Sequence, residues 1–253
     1  MKIVCIGSGN VATHFSNAFK SAGSELVQIW SKNPEHAAEL AIKTGAKPIA
    51  DLKEIDNNAD VYLIAVKDDA IEEVIAQLSA VKGMIVHTSG ATDIDVFPAT
   101  IAKYGVLYPL QTFSKHKAID FNQVPLCIEA KDEEILKSLK SIALMLSPLV
   151  YEVNSEKRRI LHLSAVFACN FVNHLYTLSN EILQRNELDF EILRPLIMET
   201  AEKVQNAFPV DVQTGPAIRN DEQTITKHKE LLSNMPELKD IYETLSKSIK
   251  KTH

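Results

Sequence analysis

Residues 7–12 read Gly7-Ser8-Gly9-Asn10-Val11-Ala12 and stand directly behind an apolar, β-branched run, Ile3-Val4-Cys5-Ile6. This stretch has the GxGxxA form. A glycine at 7 permits a tight strand-to-helix turn, a glycine at 9 lets the backbone come close to a pyrophosphate, and a small residue at 12 lets the helix pack closely on the strand. The amides and dipole of a helix opening here favour an anionic diphosphate. The spacing alone is weak evidence. Its setting between a predicted strand and a predicted helix, inside a β-α-β unit of about 30 residues, makes it a dinucleotide fingerprint rather than a structural turn. No GK[ST] ending follows, which excludes a kinase-type phosphate loop. Gly7, Ser8, Gly9, Asn10, Val11 and Ala12 are therefore candidate cofactor-binding residues.

Outward from this turn, short β-branched runs at 3–6, 26–30, 47–50, 61–66, 84–87 and 105–107 alternate with helix-forming stretches at 11–22, 34–44, 70–81 and 96–103. Such alternation predicts an α/β fold with a doubly wound parallel sheet. Asp68-Asp69 reads as the cap of the helix beginning at Ala70. Two further strands, 124–129 and 149–153, flank a helix at 133–146 and can extend the sheet at its far edge. Past Asn154 the pattern turns almost wholly helical, which places a Rossmann domain at 1–154 and an all-helical domain at 155–253.

In the second part, Ile160, Leu163, Phe167, Phe171, Leu175, Leu178 and Ile182 recur at spacings of three and four, the mark of a helical stripe. Leu161, Val166, Cys169 and Val172 widen it until protein must cover much of the helix. A helix of roughly 30 residues reaches about 45 Å. One small domain cannot cover that length, so packing on the first domain and against a second subunit is predicted, giving a homodimer through the C-terminal helices. Further helices are predicted at 192–205, 222–233 and 238–250.

Composition bounds the function. The chain has 253 residues, 45% hydrophobic and 24% charged, within the range of globular proteins. A net charge of -6 supplies no general attraction to nucleic acid or anionic membranes; the basic run Lys247, Lys250 and Lys251 reads as a solvated helix end. No window of about 18 residues stays apolar enough to span a bilayer. Cys5, Cys127 and Cys169 are too widely spaced for a disulfide framework, and the chain opens in a strand pattern rather than a leader, so a cytoplasmic protein with reduced thiols is expected. No His/Cys/Asp/Glu cluster has metal-ligand spacing.

The cofactor is read at the end of the second strand, where NAD-specific proteins place a carboxylate on the ribose 2′-hydroxyl. Here the residues are Trp30-Ser31-Lys32-Asn33. Ser31 can donate to a 2′-phosphate and Lys32, unless it is merely a surface lysine, can supply charge, whereas an acid that would repel the phosphate is absent. NADP(H) is the predicted ligand, and S-adenosylmethionine is disfavoured on the same ground.

With the fingerprint, the 61–69 segment, His87-Thr88-Ser89-Gly90, Tyr108-Pro109-Leu110-Gln111-Thr112-Phe113 and Thr214-Gly215-Pro216 in place, nearly the whole chain resembles the bacterial Rossmann-like proteins that carry a DUF2520 C-terminal domain. That group is similar to the F420-dependent NADP oxidoreductases and pyrroline-5-carboxylate reductases of the 6-phosphogluconate-dehydrogenase-like superfamily. The resemblance implies an NADP-binding domain, a helical dimerisation domain with a substrate cleft between them, and oxidoreductase activity without a defined substrate. It adds Ala65, Val66 and Lys67, and Ser89 and Gly90, as residues near the cofactor, and it leaves F420 open as a second cofactor. Many hydroxyacid dehydrogenases of this superfamily carry a catalytic lysine one turn before an asparagine of the long helix. If Asn170 matches that asparagine, Val166 stands in the lysine position, so lysine-assisted reduction of a carbonyl does not carry over.

Hydride addition to C=O or C=N still needs a proton donor. His87, His162, Asn170 and Arg219 are the catalytic candidates, with Ser89 as an orienting hydroxyl. Each has a structural alternative: His87 as a strand-end core residue, Asn170, Asn173 and His174 as interhelical hydrogen-bond formers, and Arg219 either as a clamp on a substrate carboxylate or as a partner of Glu222. Asn220 or Asp221 suits the N-cap of the helix that follows. The leading expectation is an NADP(H)-dependent oxidoreductase acting on a small, anionic carbonyl or imine bound between the domains. An imine reductase would not need the lysine; a non-catalytic NADP(H) sensor is the alternative.

Overall fold

The computed structural model describes residues 1–115 and 117–253. Its contacts divide the chain into two compact units, Met1–Asn170 and Phe171–His253.

In the first unit, β1 (Lys2–Ile6), β2 (Glu25–Trp30), β3 (Lys47–Ile49), β4 (Val61–Ile64), β5 (Met84–His87), β6 (Tyr104–Pro109), β7 (Leu126–Ala130) and β8 (Val150–Glu152) form one sheet in the order β3-β2-β1-β4-β5-β6-β7-β8. From β3 to β6 all neighbours are parallel; β7 runs antiparallel to β6, and β8 parallel to β7. The chain winds outward from β1 to β3 and then returns to lay β4 on the other side of β1. That reversal puts a crevice beyond the carboxyl ends of β1 and β4.

Helices on both faces explain why the strand sequences run apolar without alternation. Ile3 and Cys5 of β1 and Val61 and Leu63 of β4 join one core with Phe15 and Phe19 of α1 (Asn10–Ser21), Leu40 of α2 (Pro34–Thr44) and Leu139 of α4 (Glu133–Leu144). Val4, Ile6, Tyr62 and Ile64 face the opposite core with Ile71, Val74 and Ile75 of α3 (Ile71–Ala76) and with Phe97 and Ile101.

Two expected helices differ. No α-helix forms over 96–103; a single 3-10 turn, Ile94–Val96, ends at Phe97 in extended conformation (φ -82°, ψ 121°). Pro98 supplies the reason, because a proline pushes the residue before it out of the helical region. Asp68 and Asp69 lie within a 3-10 turn, Asp68–Ala70, and neither that turn nor α3 has a side-chain cap. They do not cap the helix as the sequence suggested.

The predicted long helix begins as α5 (Ser155–Ala165), passes through a π-helical turn (Val166–Phe171) and continues as α6 (Val172–Gln184). The pattern drew its domain line at Asn154, whereas α5 belongs to the first compact unit. Arg158 fastens α5 there: fully buried, it donates to Glu129 on β7, to the Thr92 carbonyl at 2.6 Å and to Ser155 Oγ at 3.0 Å. Ser155 Oγ in turn donates to Glu129 at 2.7 Å and accepts from the Ile94 amide at 2.9 Å.

The second unit contains α6, α7 (Arg194–Asn206), α8 (Glu222–Leu231) and α9 (Pro236–Thr252). Asp221 caps α8 by accepting from the Thr224 amide at 3.0 Å. His228 Nδ1 and Tyr242 Oη, 2.9 Å apart, and the pair Lys229–Glu243 at 2.9 Å fasten α8 to α9.

Candidate functional site

The turn after β1 is shaped by two glycines with different duties. Gly7 has φ +127°, and a Cβ there would lie 2.1 Å from the Ala65 carbonyl oxygen, so no other residue fits where the turns after β1 and β4 meet. Its amide donates to the Trp30 carbonyl at 2.7 Å. Gly9 is the N-cap of α1 in extended conformation, with nothing within 4 Å of where its Cβ would stand. The helix has no side-chain cap and no acid in its first turn, which leaves its leading amides and dipole to an anion. Ala12 is fully buried against the sheet and Val11 packs at the edge of the same core. Backbone donors facing open ground at a topological switch point are what a diphosphate requires.

The second strand brings the other half of this ledge. Ser8 Oγ donates to Ser31 Oγ at 2.7 Å, and Ser31 Oγ also accepts from the Asn33 amide at 3.3 Å. A hydroxyl has one hydrogen and two lone pairs, so Ser31 keeps its O–H for a further acceptor. Lys32 beside it is exposed, and Asn33 is spent capping α2 through the Glu35 amide at 2.9 Å. Ser31 and Lys32 thus offer a donor and a cation at the place where a ribose 2′-phosphate would lie. Asn10 does not offer its amide group freely: Nδ2 donates to the Phe113 carbonyl at 2.8 Å, while His14 Nε2 pairs with the Ser114 carbonyl at 2.9 Å. These bonds tie the segment after β6 onto α1.

Beyond β4, Ala65 is buried, Val66 half-buried and Lys67 exposed. Beyond β5, Ser89 Oγ accepts from the amides of Ala91 and Thr92 at 3.1 and 2.9 Å and so pins its own turn. Gly90 is closed in: a Cβ there would stand 2.8 Å from the Tyr108 ring and 2.9 Å from that of His162. Tyr108 Oη and His162 Nδ1 are 3.0 Å apart, the rings edge to face. Burial pushes the Tyr108 hydroxyl up to about 12, so it stays protonated at neutral pH.

His87, the other candidate histidine, goes elsewhere. It is fully buried, stacked on Phe97 with centroids 5.6 Å apart, and its Nδ1 accepts from the Ser89 amide at 3.2 Å. Burial, reinforced by the Arg158 charge, lowers it to about 3. A ring without water access that holds no second proton at neutral pH favours the other reading of His87, a strand-end core residue, over proton delivery. Asn170 lies exposed on the π-helical turn. Arg219 is exposed in the second unit; Glu222, one of its two expected partners, is bonded to Lys250 instead. Tyr108, which the structure brings against His162, is not among the candidates the sequence offers. Its signal was its place at the carboxyl end of a parallel strand, beside the Ser89-Gly90 turn.

A parallel sheet whose first crossover presents an uncapped, glycine-opened helix at the switch point defines a Rossmann-type dinucleotide-binding protein. The chain belongs to the DUF2520 family of NADP-oxidoreductase-like proteins: residues 124–249 match the domain of unknown function DUF2520, and residues 2–88 match the NADP oxidoreductase, coenzyme F420-dependent, family. A crystal structure of a proposed NADP oxidoreductase from Bacteroides fragilis is 42% identical, covers 99% of this chain and 98% of its own, and superposes with a TM-score of 0.94. Pyrroline-5-carboxylate reductase of Aquifex aeolicus is 30% identical over 104 residues, a match spanning 41% of this chain and 39% of that protein. An imine reductase from Myxococcus stipitatus in complex with NADP+ shares the fold, with 12% identity, a TM-score of 0.66 and coverage of 99% and 92%.

Proposed function

We propose that this chain is an NADP(H)-dependent oxidoreductase that moves a hydride to or from a small, anionic carbonyl or imine. The observation that carries the reading is the ledge after β1 and β2: an open, uncapped α1 terminus at Gly9, with Ser31 and Lys32, and no carboxylate, at the ribose position. When bound, NADPH would supply the hydride; the residues of this chain hold its diphosphate on the α1 amides and its 2′-phosphate on Ser31 and Lys32. Likeness to a pyrroline-5-carboxylate reductase supports an imine, and so does the lack of a lysine at Val166 on the reading that matches Asn170 to the family asparagine.

Titration of the protein's fluorescence with NADPH and NADH tests the cofactor assignment. NADPH binds more tightly, and Lys32→Ala weakens NADPH by about tenfold, the loss of one charge-assisted contact, while leaving NADH within about twofold. Equal affinities for the two, or an unaltered Lys32→Ala, sink the NADP(H) assignment. The second reading is a sensor that binds NADP(H) without turnover, favoured by the missing lysine; tight binding with no oxidation by any 2-keto acid or cyclic imine would select it. The chain is further proposed to work as a cytoplasmic homodimer joined through its C-terminal helices, in keeping with its free cysteines and exposed apolar side chains.

A further inference from the structure

The Tyr108–His162 couple is a polar device built at some expense into an otherwise apolar place. Tyr108 is 8% exposed and sits among Val106, Cys127, Ile94, Leu110 and Leu161. Gly90 is the only residue type that leaves room for both rings, since the smallest added side chain would collide with each. A tyrosine needed only for packing could be a phenylalanine; here the hydroxyl is kept, 3.0 Å from a half-buried imidazole.

Its position matters as much as its bonding. A dinucleotide lies across the switch point with one mononucleotide on each half of the sheet. Ser31 and Lys32 mark the β1–β3 half as the adenosine side, so the nicotinamide falls on the half formed by β4, β5 and β6. Tyr108 stands at the carboxyl end of β6, three strand spacings from β1. At about 4.8 Å per spacing this is about 14 Å from the glycine-rich turn, within reach of the far half of an extended dinucleotide. Asp68, in the turn after β4, is near enough to bear on the Tyr108 hydroxyl, as are Cys127 across on β7 and Arg158. The couple therefore belongs to the same rim of the sheet as the cofactor loops.

Resting on the NADP(H) reading above, we propose that Tyr108 delivers the proton that accompanies hydride transfer, and that His162 positions its hydroxyl and restores its proton from solvent. As the carbon of a C=O or C=N bond takes up hydride, the π electrons of that bond move onto oxygen or nitrogen, and the heteroatom takes the Tyr108 proton. NADPH, the reductant, leaves as NADP+. His162 then passes a proton to the tyrosinate and recovers one from water. Tyr108 holds its proton at neutral pH, so the hydroxyl enters the reaction in the donor form.

The test uses full-length protein carrying 13C at tyrosine Cζ and histidine Cε1, with signals assigned through Tyr108→Phe and His162→Gln. It is titrated with NADPH and, separately, with 2′-phospho-ADP-ribose, which has the adenosine half but no nicotinamide. Both ligands bind, and NADPH alone shifts the Tyr108 and His162 signals. Signals that ignore saturating NADPH, or that respond equally to both ligands, overturn the placement; failure of NADPH to bind at all instead removes the cofactor reading beneath it. In a second arm, NADPH oxidation is followed against 2-keto acids and cyclic imines. Tyr108→Phe lowers the rate about 100-fold or more with NADPH affinity kept within about twofold, and added imidazole partly restores a His162→Gly variant. An undiminished Tyr108→Phe rate, or no oxidation by wild type across the panel, overturns the proton-donor role.

Discussion

At the scale of single residues, His87 shows what burial does to a titratable ring. Its charged form would have to exist in an apolar core beside Phe97 and within the field of Arg158, so the folded protein holds it neutral down to about pH 3. The unfolded chain takes up that proton near the ordinary value of about 6.5. The folded value is depressed, so the unfolded state binds more protons between the two; the contribution is full above 6.5 and is lost as pH falls from 6.5 towards 3. At about 1.4 kcal/mol per pH unit, going from pH 6.5 to pH 5 should remove about 2 kcal/mol. Urea unfolding at the two pH values, compared with His87→Leu, checks this; equal acid sensitivity in both proteins would contradict it. In the sequence, His87 and His162 were indistinguishable as candidates. Period-two alternation cannot say whether the end of β5 turns His87 to solvent when both faces of the sheet are covered, nor does helical spacing say what His162 of α5 meets; only packing separated the two.

At the scale of elements, α5 is fastened to the sheet by a charge rather than by apolar contact alone. Arg158 is fully buried, and removing its carboxylate partner would leave an unpaired guanidinium inside the protein. Glu129→Ala is accordingly expected to destabilise the chain by about 3 kcal/mol or more, whereas the paired replacement Glu129→Leu with Arg158→Met recovers most of that loss. Denaturant midpoints decide the matter: a single variant within about 1 kcal/mol of wild type would mean that water or rearrangement satisfies the arginine. The strands and the long apolar helix were legible because β-branched runs and a spacing of three and four are local properties. The helix expected over 96–103 does not form, since Pro98 closes the helical region to Phe97. The clamp at Arg158 left little local trace, because the Glu129 carboxylate and the Thr92 carbonyl lie 29 and 66 residues away and only Ser155 is near in sequence.

At the scale of the whole molecule, large apolar side chains remain uncovered in a single chain. Ile160 and Leu163 in the first unit, and Ile192, Leu196 and Met198 in the second, are all more than half exposed. Exposed apolar side chains of this size are what an association surface would cover. The proposed homodimer predicts a particle of about twice the 28.1 kDa chain mass in size exclusion with light scattering, and Ile192→Glu with Leu196→Glu shifts it towards monomer. A wild-type monomer at micromolar concentration would end that proposal. No helix among the described residues is long and apolar enough to cross a membrane. What the sequence determined unaided was the parallel sheet, the glycine-opened turn and the absence of an acid after β2, because each follows from side-chain size, branching and charge read along a few consecutive residues. Which polar groups meet was settled by the folded packing: Ser8 with Ser31, Arg158 with Glu129, Tyr108 with His162 over Gly90. Those meetings depend on strand order and on how closely the backbones approach, and neither is written in the spacing of residues along the chain.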